Sequence, residues 1–208
     1  MNGQKIFLIT QKLVEIIYYL FILLAGIVVC VSVLQYFHGS KDLSDITKHP
    51  ALSFEVMNFA KDSIPDYYYA PGRQAALQAV PHKYLLHVPY HSALGYFHAF
   101  TALAYAASGF LIIWFLRRIF RSISLKAPFT LTAARLIRNI AIVLIATDFV
   151  KGLEYVMFNY FAHQYFQGGK IQLLISVGNG IWLGLIILAL SIVYRRGVEI
   201  YSENQLTI

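Results

Sequence analysis

Charge is what this sequence has least of. Of its 208 residues 13% are charged and 58% hydrophobic, and the mean hydropathy is +0.60. A soluble domain carries about a quarter charged residues, so the composition points to a membrane protein. Cysteine is scarcer still. Cys30 stands alone, which excludes an intrachain disulfide and any Cys-x-x-Cys redox pair, and with them the small four-helix enzymes that work through cysteine pairs. The run Ile27-Val28-Val29-Cys30 lacks the small residue that a lipoprotein site needs before its cysteine. Cys30 is expected to be a small buried apolar side chain.

Acidic residues are also few, ten against 17 Lys and Arg, for a net charge of +7. In a soluble protein that excess would suggest nucleic acid as a partner. Here the basic residues crowd at the ends of apolar segments, so the bilayer explains them and no direct nucleic-acid partner is expected. Internal repeats of solenoid length are lacking, which argues against a solenoid or an inverted-repeat transporter.

What the sequence does have is long apolar stretches. Four are long enough for a hydrocarbon core that needs about 20 apolar residues. They run over 13–34, 95–116, 140–160 and 171–194. The first is expected to be a permanent helix, since its apolar run is too long for a signal-peptide core and no Ala-x-Ala site follows. Arg117, Arg118, Arg121, Lys126, Arg135 and Arg138 lie between the second and third stretches with no acid among them. Lys5 and Lys12 precede the first, and Arg195 and Arg196 follow the fourth. The basic side faces the cytoplasm, so both termini are expected there, in a bacterial inner membrane.

Residues 35–94 are the one sizeable part expected outside the membrane. Leu52, Phe54 and Val56 alternate with Ser53 and Glu55, and Tyr84, Leu86 and Val88 alternate with Leu85 and His87. A period of two indicates short strands, with turns at Pro65, Pro71-Gly72 and Pro81. The expected fold is an all-α four-transmembrane-helix bundle carrying a small β-containing extracytoplasmic cap.

Seven histidines raise the question of a metal. His87 and His91 are four apart, the helical ligand spacing, but Pro89 between them opposes a helix. The pattern His-Glu-x-x-His is missing, and no third ligand is placed beside them, so neither a metal nor a cofactor is expected. The many aromatic residues lie near the two expected interfaces, where aromatic belts form.

Two features inside the stretches deserve weight. Ser176, Gly180 and Gly184 are spaced by four, with Asn179 beside them. Small residues on one stripe let helices approach closely in lipid, either within the bundle or at a dimer seam. In the third stretch, Asp148, Lys151 and Glu154 fall at i, i+3 and i+6, roughly 12, 16 and 21 Å from the cytoplasmic edge. Charges at that depth face a protein interior or a wet cavity, and opposite signs three apart can pair along the helix. A neutralised structural network, proton or ion handling, and contact with a charged partner helix all fit.

Two cytoplasmic segments carry a resemblance. One reads Lys126-Ala127-Pro128-Phe129-Thr130, then Ala134-Arg135-Leu136-Ile137-Arg138; the other reads Tyr194-Arg195-Arg196-Gly197-Val198-Glu199-Ile200, then Glu203-Asn204-Gln205-Leu206-Thr207-Ile208. This resembles a bacterial four-span membrane family catalogued as domain of unknown function 2975, though Asn204-Gln205 replaces the acid more usual there. The resemblance supplies no catalytic residue. Because such proteins are often encoded beside small helix-turn-helix regulators, it implies a regulatory role. Physically, Thr130 or Thr132 suits a helix cap, and Arg135, Arg138, Arg195 and Arg196 suit lipid headgroups or a protein partner.

The expected function is therefore a non-enzymatic membrane component, regulatory or accessory, acting through other membrane proteins or a second copy. The alternative is a small transporter or ion-coupled protein that uses the charges of the third stretch.

Overall fold

The computed structural model describes residues 3–38, 52–58, 67–70, 75–80, 83–123, 130–166, 171–175 and 177–206. Pro65, Pro71-Gly72, Pro81, His49, His82, the segment from Lys126 to Phe129, and Ser176 lie outside them. The elements are α1 (Gly3–His38), β1 (Leu52–Asn58), β2 (Tyr67–Tyr69), β3 (Ala76–Val80), β4 (Lys83–Val88), α2 (Ala93–Ser122), α3 (Leu131–Tyr165), β5 (Ile171–Leu173) and α4 (Asn179–Leu206). The fold is mostly helical, with a small antiparallel sheet.

Three helices are long and apolar enough to cross a membrane, over Leu8–Val31, Ala93–Ser122 and Asn179–Glu203. α3, 35 residues long, is not one of them: Arg135, Arg138, Asp148, Lys151 and Glu154 break up its apolar stretches.

The chain forms two compact units. One comprises Met1–Ile27, Ala104–Phe149 and Gly178–Ile208; the other comprises Val28–Leu103 and Val150–Val177.

The second unit holds the sheet, in the order β2-β3-β4-β1-β5. β1 pairs antiparallel with β4, setting Phe54 opposite Leu86 and Leu52 opposite Val88. On β1 the alternation seen in the sequence is realised, since Phe54 and Val56 are buried while Ser53 and Glu55 are exposed; on β4 Leu86 and Val88 are buried, but so is His87 between them. Phe54, Val56, Leu86 and Val88 pack with Leu94 of α2, with Phe158 and Ala162 of α3, and with Phe166 just after it. The Phe54 and Phe158 ring centroids are 5.1 Å apart. Each such burial contributes about 1.5–3 kcal/mol, which is what holds a sheet of short strands together.

β5 corrects the sequence reading. The fourth apolar stretch was expected to be helical from Ile171, yet Ile171 and Leu173 pair with Asn58 and Val56 of β1. The Leu174 N–H then donates to the Glu55 carbonyl at 3.0 Å, and helix begins only at Asn179. Ile171 to Val177, apolar but for Gln172 and Ser176, is too short for its period to separate strand from helix.

In the first unit, Ile119 of α2 meets Ala133, Leu136 and Ile140 of α3, with Ile187 and Tyr194 of α4 against them. Glu15 of α1 accepts a hydrogen bond from Arg121 at 2.7 Å, and Arg117 lies 4.3 Å above the Tyr18 ring. None of the most apolar stretch of α1 is buried. Cys30, expected to be buried, is exposed, because it belongs to that outward-facing run.

Candidate functional site

Helix starts set much of the local geometry. The first four N–H groups of a helix have no partner within it. Thr130 caps α3, its Oγ1 accepting from the Ala133 N–H at 3.1 Å. Ser92 does the same for α2, accepting from the Gly95 N–H at 3.0 Å. α4 is different, because the residue before it is Gly178 and has no side chain to offer. Asp148 of α3 supplies the cap instead. Its Oδ2 accepts from the Gly178 N–H at 2.9 Å and from the Ile181 N–H at 3.0 Å. One carboxylate thus serves two donors, next to the positive end of the helix dipole.

The small-residue stripe makes this approach possible. A Cβ on Gly180 would lie 2.8 Å from Asp148 Oδ1 and 2.9 Å from the Leu144 carbonyl oxygen. A Cβ on Gly184 would lie 2.6 Å from Ile145 Cγ1 and 2.9 Å from the Ala141 carbonyl oxygen. Gly180 and Gly184 therefore face α3; Ser176, the third residue of the stripe, lies outside the described residues. Asn179 is the first residue of α4 and is exposed. Gly178 itself has φ 107°, a conformation for which glycine is the default residue.

Within the sheet-bearing unit, Lys151 is half-buried and Glu154 is buried. Glu154 Oε1 lies 3.1 Å from Thr101 Oγ1 and 3.3 Å from His98 Nδ1. The Thr101 hydroxyl is also 3.0 Å from the His98 carbonyl, so one proton faces two acceptors. Phe54 stands edge-on to the His98 ring, with centroids 5.0 Å apart. Thr101 escaped the sequence reading. Its only signal is a lone hydroxyl one helical turn after His98 in an apolar run.

Of the arginines, Arg135, Arg138 and Arg195 line one groove of about 510 Å³, with Leu131, Leu188 and Ile192. Arg196 turns to Glu199 at 2.9 Å, which also lies 3.3 Å from Arg195. The Thr130 N–H donates to the Tyr194 hydroxyl at 3.4 Å, tying the start of α3 to α4.

Among the described residues no three His, Cys, Asp or Glu side chains are grouped to hold a metal ion. His87 is built into the sheet, with Nδ1 2.9 Å from Ser53 Oγ and Nε2 2.9 Å from Gln78 Oε1. The Gln78 carbonyl can only accept, so Nε2 carries the proton and Nδ1 accepts from Ser53. Burial pushes this imidazole below its ordinary range, because the charged form would lose its hydration.

No curated protein and no solved structure matches this chain. One family does, described as "Protein of unknown function (DUF2975)", over residues 81–208. The matched segment takes in α2, α3 and α4, and with them the Asp148 cap, the glycines that admit it and the arginine groove. Spanning more than half of the sequence, that match makes the chain a member of the DUF2975 family.

Proposed function

We propose that the chain is a four-span protein of a bacterial inner membrane, with both termini in the cytoplasm, and that it is a non-enzymatic regulatory or accessory component acting through other membrane proteins. The fourth span in this reading is α3. A buried carboxylate in hydrocarbon is costly unless it is paired or hydrogen-bonded; Asp148 accepts two N–H groups on one oxygen, Oδ2, while Glu154 meets a hydroxyl and an imidazole. What supports the accessory role most is α1. Leu8, Ile16, Leu23 and Ile27 are all exposed on it and fall within about 100° of its circumference, giving an apolar face suited to another helix.

Photo-crosslinkers placed at Ile16 and at Leu23 in the native membrane test this. The same protein partner should be captured from both positions and not from Ser53, on the outer face of the sheet. Capture of lipid alone at Ile16 and Leu23 would sink the accessory reading.

One observation favours a second reading, a small transporter or proton-coupled protein. Glu154, with His98 and Thr101, is a buried carboxylate beside groups that can exchange a proton with it. In reconstituted vesicles, a proton-linked flux lost in Glu154→Gln would carry this reading. A flux unchanged by that substitution would end it.

A further inference from the structure

Most charged side chains of the first unit have partners. Glu15 binds Arg121 and Glu199 binds Arg196, and the Asp148 carboxylate accepts from two N–H groups. Arg135 and Arg138 are exceptions: among the described residues neither makes a hydrogen bond or an ion pair. Both line the same groove as Arg195, so three guanidinium groups converge there with Glu199, bound to Arg195 and Arg196, as the neighbouring carboxylate. The groove is not purely polar. Leu131 and Ile192 are exposed beside the arginines, 49% and 65% respectively, and Leu188 lies one turn of α4 below Ile192. The lining is a cationic end joined to an apolar strip about 6 Å long.

We propose that this groove holds an anionic phospholipid of the surrounding leaflet, its phosphodiester on Arg135, Arg138 and Arg195 and an acyl chain along Ile192 and Leu188. Guanidinium forks match phosphate oxygens two at a time. Free phosphate would satisfy the same arginines but would leave the apolar strip uncovered, and the strip is what selects a lipid. A headgroup without a compensating amine suits three guanidinium groups that share one nearby carboxylate. The inference rests on the chain lying in a bilayer, which topology fusions test separately, so the two can fail independently.

The full-length chain, purified in detergent, would be titrated with phosphatidylglycerol or phosphatidylcholine of identical acyl chains and read by native mass spectrometry. Phosphatidylglycerol should be retained about tenfold more tightly, a difference on the scale of one charge-assisted contact. In Arg135→Gln/Arg138→Gln that preference should vanish, while Arg118→Gln, which lies beside Trp114 and not in the groove, should keep it. Unfolding temperature confirms that each variant is folded, and Arg135→Gln alone serves if the double variant is not. Equal retention of the two lipids by the unaltered chain, or an undiminished preference in a folded groove variant, overturns the proposal. So does displacement of phosphatidylglycerol by millimolar inorganic phosphate, which would make free phosphate the ligand; retention in its presence supports the lipid.

Discussion

Gly180 is the residue that lets Asp148 reach the start of α4, since a methyl group in its place would sit 2.8 Å from the carboxylate oxygen. The next contact, the Leu144 carbonyl at 2.9 Å, is backbone and cannot rotate away. Overpacking of this kind costs about 1–3 kcal/mol. Gly180→Ala should therefore lower stability by that amount in a detergent unfolding titration. An unchanged midpoint would show that α3 and α4 separate without penalty.

Asp148 itself gives a graded test. Asp148→Ala removes the acceptor for two N–H groups and should cost about 3 kcal/mol, on the scale of two charge-assisted bonds. Asp148→Asn keeps an acceptor oxygen and gives up only the charge, so it should retain most of the stability. If Asn and Ala are equally damaging, the negative charge and not the capping geometry is what matters.

The sheet should weaken in acid. The His87 imidazole is neutral and held below its ordinary value by burial, so the unfolded chain binds a proton that the folded chain resists. Stability is then fully present above the unfolded value of about 6.5 and is lost as pH falls through the lowered folded value. Hydrogen-exchange protection factors in β1 and β4, which remove the slowing of intrinsic exchange at lower pH, should fall as the pH drops below about 6.5. His87→Gln should flatten that dependence, and a flat profile in the unaltered chain would contradict it.

The proposed four-span topology predicts which fusions to a periplasm-dependent phosphatase are active. Fusions after Ser63 and after Gln167 should be active, and those after Ser124 or Ile208 inactive. Activity at Ser124 would invert or break the four-span arrangement.

Period-two alternation at Leu52, Phe54 and Val56 was legible because one face of β1 is buried and the other is not; the same period at Tyr84, Leu86 and Val88 also marked a strand, although there His87 on the other face is buried too. The helix preceded by Thr130 was legible from its cap. β5 was not, because the run from Ile171 to Val177, apolar but for Gln172 and Ser176, is too short for its period to tell a strand from the start of a helix. The role of Asp148 was hidden for a different reason. Its spacing to Lys151 and Glu154 advertises partners along its own helix, whereas the N–H groups that hold it lie 30 and 33 residues away. Backbone donors are present at every residue, so no residue type marks the ones that matter. Arg195 was foreseen as a surface cation, but its meeting with Arg135 and Arg138 depends on α4 lying beside α3, for which Gly180 and Gly184 were the available sign.

The cap on α4 bears on how the chain is made. Asp148 leaves the ribosome 30 residues ahead of the Gly178 N–H that binds it, and during that interval its helix presents a carboxylate while neither donor has yet emerged. Such a segment enters lipid poorly by itself. On the four-span reading, α3 waits at the insertion machinery until α4 follows, and the two are released into the bilayer together as a hairpin. The first turn of α4 is then completed only after its predecessor is in place beside it.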